Sequence, residues 1–140
     1  SLRSFSKAQK GIAKALASDD PVVRYWGLIV CSSFGKQAAS FSKSAKAIAA
    51  NDSDNLVRVR AAEFLALIGA AKPQQVIYET LRSSKTEVEA NLILNTATLL
   101  KDCPIGYEFD LKPEMFPAEW RKEARSNVNR RLDYFLGKFE

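Results

Sequence analysis

Apolar residues recur at three- and four-residue steps along most of this chain, and they do so in copies. Leu2, Phe5, Ile12 and Leu16 share one face of a helix, and Phe41, Ala45, Ile48 and Ala49 share one face of another. The surrounding letters repeat as well: Phe5-Ser6-Lys7, Lys10 and Ile12-Ala13 return as Phe41-Ser42-Lys43, Lys46 and Ile48-Ala49. A second kind of helix follows each of these. Val23-Arg24-Tyr25-Trp26-Gly27-Leu28 and Val57-Arg58-Val59-Arg60-Ala61-Ala62 both start Val-Arg, carry a small residue at the fifth place, and reach a glycine (Gly35, Gly69) twelve residues after the Val. That distance fits about three helical turns closed by a glycine able to take positive φ. Val88-Glu89-Ala90-Asn91-Leu92-Ile93 is a third, degenerate copy, and the Val-to-Val separations are 34 and 31 residues.

Turn chemistry agrees. Asp19-Asp20-Pro21 and Asp52-Ser53-Asp54 precede the Val-Arg helices, where carboxylate oxygens accept orphan N–H bonds and suit the helix dipole, so Asp20 and Asp54 read as N-caps. Thr86 opens the third copy, and Pro73 suits the first turn of a helix reaching Arg82, with Val76, Ile77 and Leu81 as its apolar surface. No strand pattern competes between residues 2 and 101. After Asp102 the prolines at 104, 113 and 117 and Gly106 rule out a continuous helix. Tyr107, Phe109 and Leu111 alternate with polar residues, as an extended segment laid on the repeats would. From about Pro117, Trp120, Ala124, Val128, Leu132, Phe135 and Phe139 draw an apolar line, with Arg121, Lys122, Arg125, Arg130 and Arg131 outside it. This amphipathic helix either caps the end of the stack or docks another domain through Trp120 and Phe135. Glu119, Glu123 and Asp133 dilute its basic face for a membrane-surface role.

Paired helices of this period, with Asp20-Pro21-x-Val23-Arg24 and Asp54-x-x-Val57-Arg58-x-x-Ala61-Ala62, resemble HEAT repeats over about two-thirds of the chain. The expected fold is therefore all-α: HEAT-like helix pairs, an α-α superhelix, over residues 1–102, then a wrapping segment and capping helix over 103–140 packed into the same domain. The resemblance implies that Arg24 and Arg58 pair with acidic loop residues of neighbouring repeats. More narrowly, Asp20-Pro21-Val22-Val23-Arg24-Tyr25-Trp26-Gly27 resembles the repeat on the C-terminal side of some bacterial sulfatases, formylglycine-dependent hydrolases of sulfate esters. That resemblance implies an exported or periplasmic parent enzyme whose upstream catalytic domain is this region's partner. The sulfatase signature itself is absent, because Cys103 is followed directly by Pro104-Ile105-Gly106.

Composition narrows the chemistry further. The chain has 140 residues, 26% of them charged, and no histidine, which removes the commonest general base and neutral metal ligand. Cys31 and Cys103 have no CxxC partner, so no zinc site or disulfide framework emerges; Asp52 and Asp54 lack the rest of a calcium loop. No metal or cofactor is expected. The pairs Glu87/Glu89 and Glu119/Glu123 show no sign of desolvation, and Cys31, amid Leu28-Ile29-Val30, reads as a buried inert thiol. No apolar run is long enough for a membrane span. Ser1 in place of an initiator Met, with no leader after it, suggests a piece of a longer protein.

Of the net charge of +5, residues 1 to 50 carry +6, eight Lys/Arg against two Asp/Glu. Arg3, Lys7, Lys10 and Lys14 follow one helical stripe, and Lys43 and Lys46 hold the matching places one copy later. Such a ladder offers an anionic glycan or phosphate backbone a binding face, or simply keeps an alanine-rich helix soluble. The absence of interleaved aromatic residues favours the solubilising face. Nucleic acid, which some HEAT-like DNA glycosylases hold in a basic groove with an acidic residue and an indole, is disfavoured because no Asp occupies the expected side. Trp26, beside Val23 and Val30 in mid-helix, is expected in the core or between repeats. The function these residues support is a non-catalytic module of a sulfatase-like hydrolase that supports its catalytic domain or binds a partner or anionic glycan. The alternative is a free-standing protein-interaction scaffold, with a nucleic-acid-binding HEAT-like protein third.

Overall fold

The computed structural model describes residues 2 to 122 and 127 to 135, without the side chains of Leu2, Arg3 and Asn127. The described residues are helical or irregular and contain no strand. They form α1 (Leu2–Leu16), α2 (Pro21–Phe34), a 3-10 helix (Gly35–Phe41), α3 (Ser42–Asn51), α4 (Asn55–Leu67), α5 (Gln74–Arg82), α6 (Glu87–Asp102), a 3-10 turn (Pro113–Met115), α7 (Ala118–Arg121) and α8 (Asn127–Phe135). The chain divides into two compact units, Ser1–Val76 and Ile77–Glu140, with the division inside α5. Glu123, Ala124, Arg125 and Phe139 of the expected C-terminal helix lie outside the described residues, on either side of α8.

In the first unit α1 packs on α2, α3 on α4, and α2 on α4. The helix ends form where short polar residues and glycines stand. Asp20 accepts from the N–H of Val22, and Asp54 from those of Leu56 and Val57. Gly35 ends α2 at φ 61°. Gly69, at φ 72°, closes α4: its N–H donates to Ala66 and that of Ala70 to Leu65, the paired bonds of a Schellman motif. The shared core joins Ile12 and Leu16 of α1, Leu28 and Cys31 of α2, Ala45 and Ala49 of α3, and Val57, Ala61, Phe64 and Leu65 of α4. Phe5 sits edge-on to both Phe34 (centroids 5.4 Å apart) and Phe41 (6.3 Å), so the equivalent phenylalanines of the two copied helices touch.

Gly27 lets α1 and α2 approach closely. A Cβ there would stand 2.9 Å from the Cβ of Ala15 and 3.2 Å from a methyl of Leu16. Gly27→Val is therefore expected to destabilise the chain by about 1–3 kcal/mol through overpacking. Adding Ala15→Gly should return part of that loss, a coupling that thermal melts of the two single variants and the double variant measure.

The second unit is built on α6. Thr86 caps it by accepting from the N–H of Glu89, and the Glu89 carboxylate accepts from the N–H of Lys85, a local variant of the capping box. Ile77 and Leu81 of α5, Ala90, Ile93, Leu94, Ala97 and Leu100 of α6, and Val128 and Leu132 of α8 are buried. After Asp102 the chain turns at Cys103 to Ile105 and is neither helix nor strand from Gly106 to Lys112. It buries Phe109 and Leu111, and the N–H of Asp110 donates to the hydroxyl of Tyr78 at 2.9 Å. Arg131 on α8 donates to the carbonyl of Asn91, the amide oxygen of Asn95 and the hydroxyl of Thr98. Partial burial lowers its pKa. The Tyr134 hydroxyl donates to Asp102 at 2.6 Å, and that bond raises the tyrosine's pKa.

Candidate functional site: an apolar groove with a basic border

Apart from Arg24, α2 (PVVRYWGLIVCSSF) carries no charge, and it is apolar nearly all round. A helix of that kind is stable in water only where both sides are covered. One side is covered: Leu28 and Cys31 are fully buried, and Tyr25 faces α4. The other side is not. Val22 is 61%, Val23 39% and Trp26 59% exposed. Trp26 is thus not the core or inter-repeat residue that its position beside Val23 and Val30 suggests; it stands on a ridge, its ring held edge-on to Tyr25 at 6.0 Å.

Beside that ridge lies a groove of about 410 Å³ between α1 and α2, lined almost wholly by apolar atoms. Ala8, Gly11, Ile12 and Ala15 form one wall, and Val23, Trp26, Gly27 and Val30 the other. Both sets follow i, i+3, i+4, i+7, a single stripe of each helix. A Cβ placed on Gly11 would meet nothing within 4 Å, so the groove is open there. A smaller cavity of about 270 Å³ lies on the far side of Trp26, against Val22, Tyr25, Asp54, Leu56 and Val57.

The second copy shows what covers such a face. Val57 and Arg60 stand 34 residues after Val23 and Trp26 and meet α2: Val57 is 1% exposed, and the Arg60 Nε donates to the Tyr25 hydroxyl at 3.1 Å with its guanidinium 5.1 Å from that ring. Arg60 also donates to the nearly buried Glu63 carboxylate at 2.8 Å. Burial alone would lower the pKa of Arg60; Glu63 and Tyr25 overcome that and raise it. Val57 is therefore buried and Arg60 part-buried where Val23 and Trp26 of α2 are exposed.

No protein-family model, no curated protein and no solved structure matches the chain.

The α1 part of the basic ladder adjoins the Gly11 side of the groove in helical projection, while no lysine is in its lining. Lys7, Lys10 and Lys14 are exposed on α1, as are Lys43 and Lys46 on α3; the side chain of Arg3 lies outside the described residues. Lys7 and Lys14 are the i−4 and i+3 surface neighbours of Gly11 on the α1 wall. Lys46 and Lys72 flank a separate cavity of about 160 Å³ near Ala49 and Leu65.

The remaining sequence-derived residues take structural places. Arg24 grips Asp52 with two bonds (Nε–Oδ2 2.8 Å, Nη2–Oδ1 3.0 Å) and donates to the carbonyl of Ser18. The hydrogen bonding to Asp52 is the main reason the pKa of Arg24 is raised against the opposing effect of burial. Arg58 donates through Nε to the carbonyl of Ala49 at 2.9 Å, a backbone oxygen of α3. Phe135 is half-buried with its ring edge-on to Phe109 at 6.1 Å, and Trp120 is half-buried in α7. Among the described residues no group of three or more His, Cys, Asp or Glu could hold a metal, and no helix is long and apolar enough to cross a membrane.

Cys31 is fully buried, and burial pushes its thiol from 9.0 up to about 11. A folded-state pKa above the unfolded one contributes stability below the unfolded value and loses it as pH rises through the folded value. Stability should therefore decline between pH 9 and 11, and Cys31→Ala should flatten that decline in urea titrations across the same range.

Proposed function

We propose that this chain is a non-catalytic module of HEAT-like helix pairs that binds a protein partner along the α1–α2 groove. The observation that carries the reading is the bare face of α2. Val23 and Trp26 are 39% and 59% exposed on an apolar helix, whereas Val57, at the place of Val23 one copy later, is 1% exposed and packed on its neighbour. An exposed, contiguous apolar surface of this kind in a water-borne protein marks an interaction site. The parent we propose is a sulfatase-like sulfuric ester hydrolase. The phrase Asp20-Pro21-Val22-Val23-Arg24-Tyr25-Trp26-Gly27 supports that setting, and a Cys/Ser-x-Pro-x-Arg signature upstream in the gene would be its test.

For the binding role, a photo-reactive residue placed at position 26 of the natural polypeptide should cross-link to one protein, identifiable by mass spectrometry. Purified, that protein should reconstitute the cross-link. A yield no greater than from exposed Ser53 would overturn the role, and turnover of an aryl sulfate by this chain alone would overturn its non-catalytic part. An anionic glycan is a second reading, favoured by the exposed lysines. Retention on a heparin matrix that survives Lys7, Lys10, Lys43 and Lys46→Glu would dispose of it.

A further inference from the structure

The groove and its border together point to the chemistry of what they hold, and we propose that the occupant is an amphipathic α-helix of another protein, aliphatic on one face and acidic along one flank. This inference rests on the docking role given above. The shape of the groove argues for a helix. Two parallel stripes at helical spacing, one of small residues (Ala8, Gly11, Ala15) and one raised by Trp26, make a valley of the kind into which a ridge of helical side chains packs. The same chain supplies a template, since α2 itself covers Val57 and Arg60 on α4. A helix seated on Val23 and Trp26 as α2 sits on their equivalents would bury the apolar wall that water now reaches.

The charge argues for the acidic flank. At roughly 100° per residue the lysine stripe lies about a third of a turn from the middle of the α1 wall, on the Gly11 side. Lys7 and Lys14 adjoin Gly11 directly, and Lys10 continues the stripe. No Asp or Glu occurs anywhere in α1. The α2 wall carries no charge, so the complementary acid belongs on one side of the incoming helix only. A second copy of this chain does not fit. A two-fold contact through the same face would bring α1 lysines of both copies to one interface, where desolvation strengthens their repulsion. A bare polyanion would use the lysines and leave the apolar walls and Trp26 in water.

The test uses the full chain, isotope-labelled, and three synthetic helices of about 20 residues, long enough to hold helical form. One has a leucine face and a glutamate flank, one a leucine face and a lysine flank, and one a serine face and a glutamate flank. The first should shift the indole N–H signal of Trp26 and the amides of residues 8 to 15 saturably, leaving the Trp120 indole in place. Trp26→Ala should weaken it at least tenfold. Gly11→Leu, which meets no atom at its Cβ, should block the groove while the chain stays folded by circular dichroism. Lys7, Lys10 and Lys14→Glu together should exchange the preference from the glutamate-flanked to the lysine-flanked helix. The proposal is overturned by an absent shift at Trp26, by an equal response to the serine-faced helix or to heparin, by indifference to flank charge, or by Trp26 signals that move with protein concentration alone. Should these peptides fail while the cross-link from position 26 is reconstituted, the partner's chemistry is wrong and the site is right; failure of both removes the site.

Discussion

Phe64→Ala is expected to destabilise the Ser1–Val76 unit by about 3–5 kcal/mol, the range for deleting a fully buried aromatic ring and leaving a cavity. Phe64 is 0% exposed and the largest side chain among the fully buried residues. It belongs to the core cluster that also takes in Ile12 of α1, Leu28 of α2 and Ala45 of α3, so its ring is part of the core these helices share. For a unit of this size each kcal/mol moves the midpoint by about 4–8 °C, so thermal melts should show a fall of about 12 °C or more. Phe64→Leu, which keeps part of the volume, should cost clearly less. A loss below about 1 kcal/mol for Phe64→Ala would mean that the four helices do not share one core.

Asp52→Ala should be the most damaging polar substitution, at about 2–3 kcal/mol. The Asp52 carboxylate holds three donors at once: the Nε and Nη2 of Arg24, and the N–H of Asp54 at 2.9 Å. The side chains of the ion pair are only 14% and 6% exposed, so truncating one partner leaves the other charge poorly solvated. The effect is structural as well as electrostatic, since Arg24 lies on α2 and Asp52 in the turn between α3 and α4. Asp52→Asn should recover part of the loss, because an amide oxygen still accepts from Asp54. Chemical denaturation of the three chains checks the order: native, then Asn, then Ala. If Asp52→Ala behaved like an exposed surface change, within about 0.5 kcal/mol, the pair would be idle.

The helices were readable from the chain because their causes are local. Asp20, Asp54 and Thr86 cap helices where their positions said they would, Gly35 and Gly69 take positive φ, and the stretch holding the prolines after residue 102 is not a continuous helix. The 3-10 helix from Gly35 to Phe41 was not visible in the pattern, because Phe41 reads equally well as the first apolar residue of α3. Position relative to neighbours was harder. Trp26 and Arg60 hold equivalent places in their copies, yet Trp26 is 59% exposed while Arg60 is part-buried and bonded to Tyr25 of α2. No property of the single residue encodes that difference. The one hint in the sequence was the lack of charge in α2 apart from Arg24, which asks for cover on both sides.

By itself, then, the amino-acid sequence determined the all-α character, the copied helices, their ends, and the lysine stripe, since hydrophobic period, capping and charge spacing act within a few residues of one another. The tertiary structure decided which apolar faces meet. Packing seals Val57 against α2 and leaves Val23 and Trp26 beside an open groove next to Lys7 and Lys14. Burial belongs to pairs of surfaces, and only their assembly distinguishes a core residue from an exposed one of the same pattern.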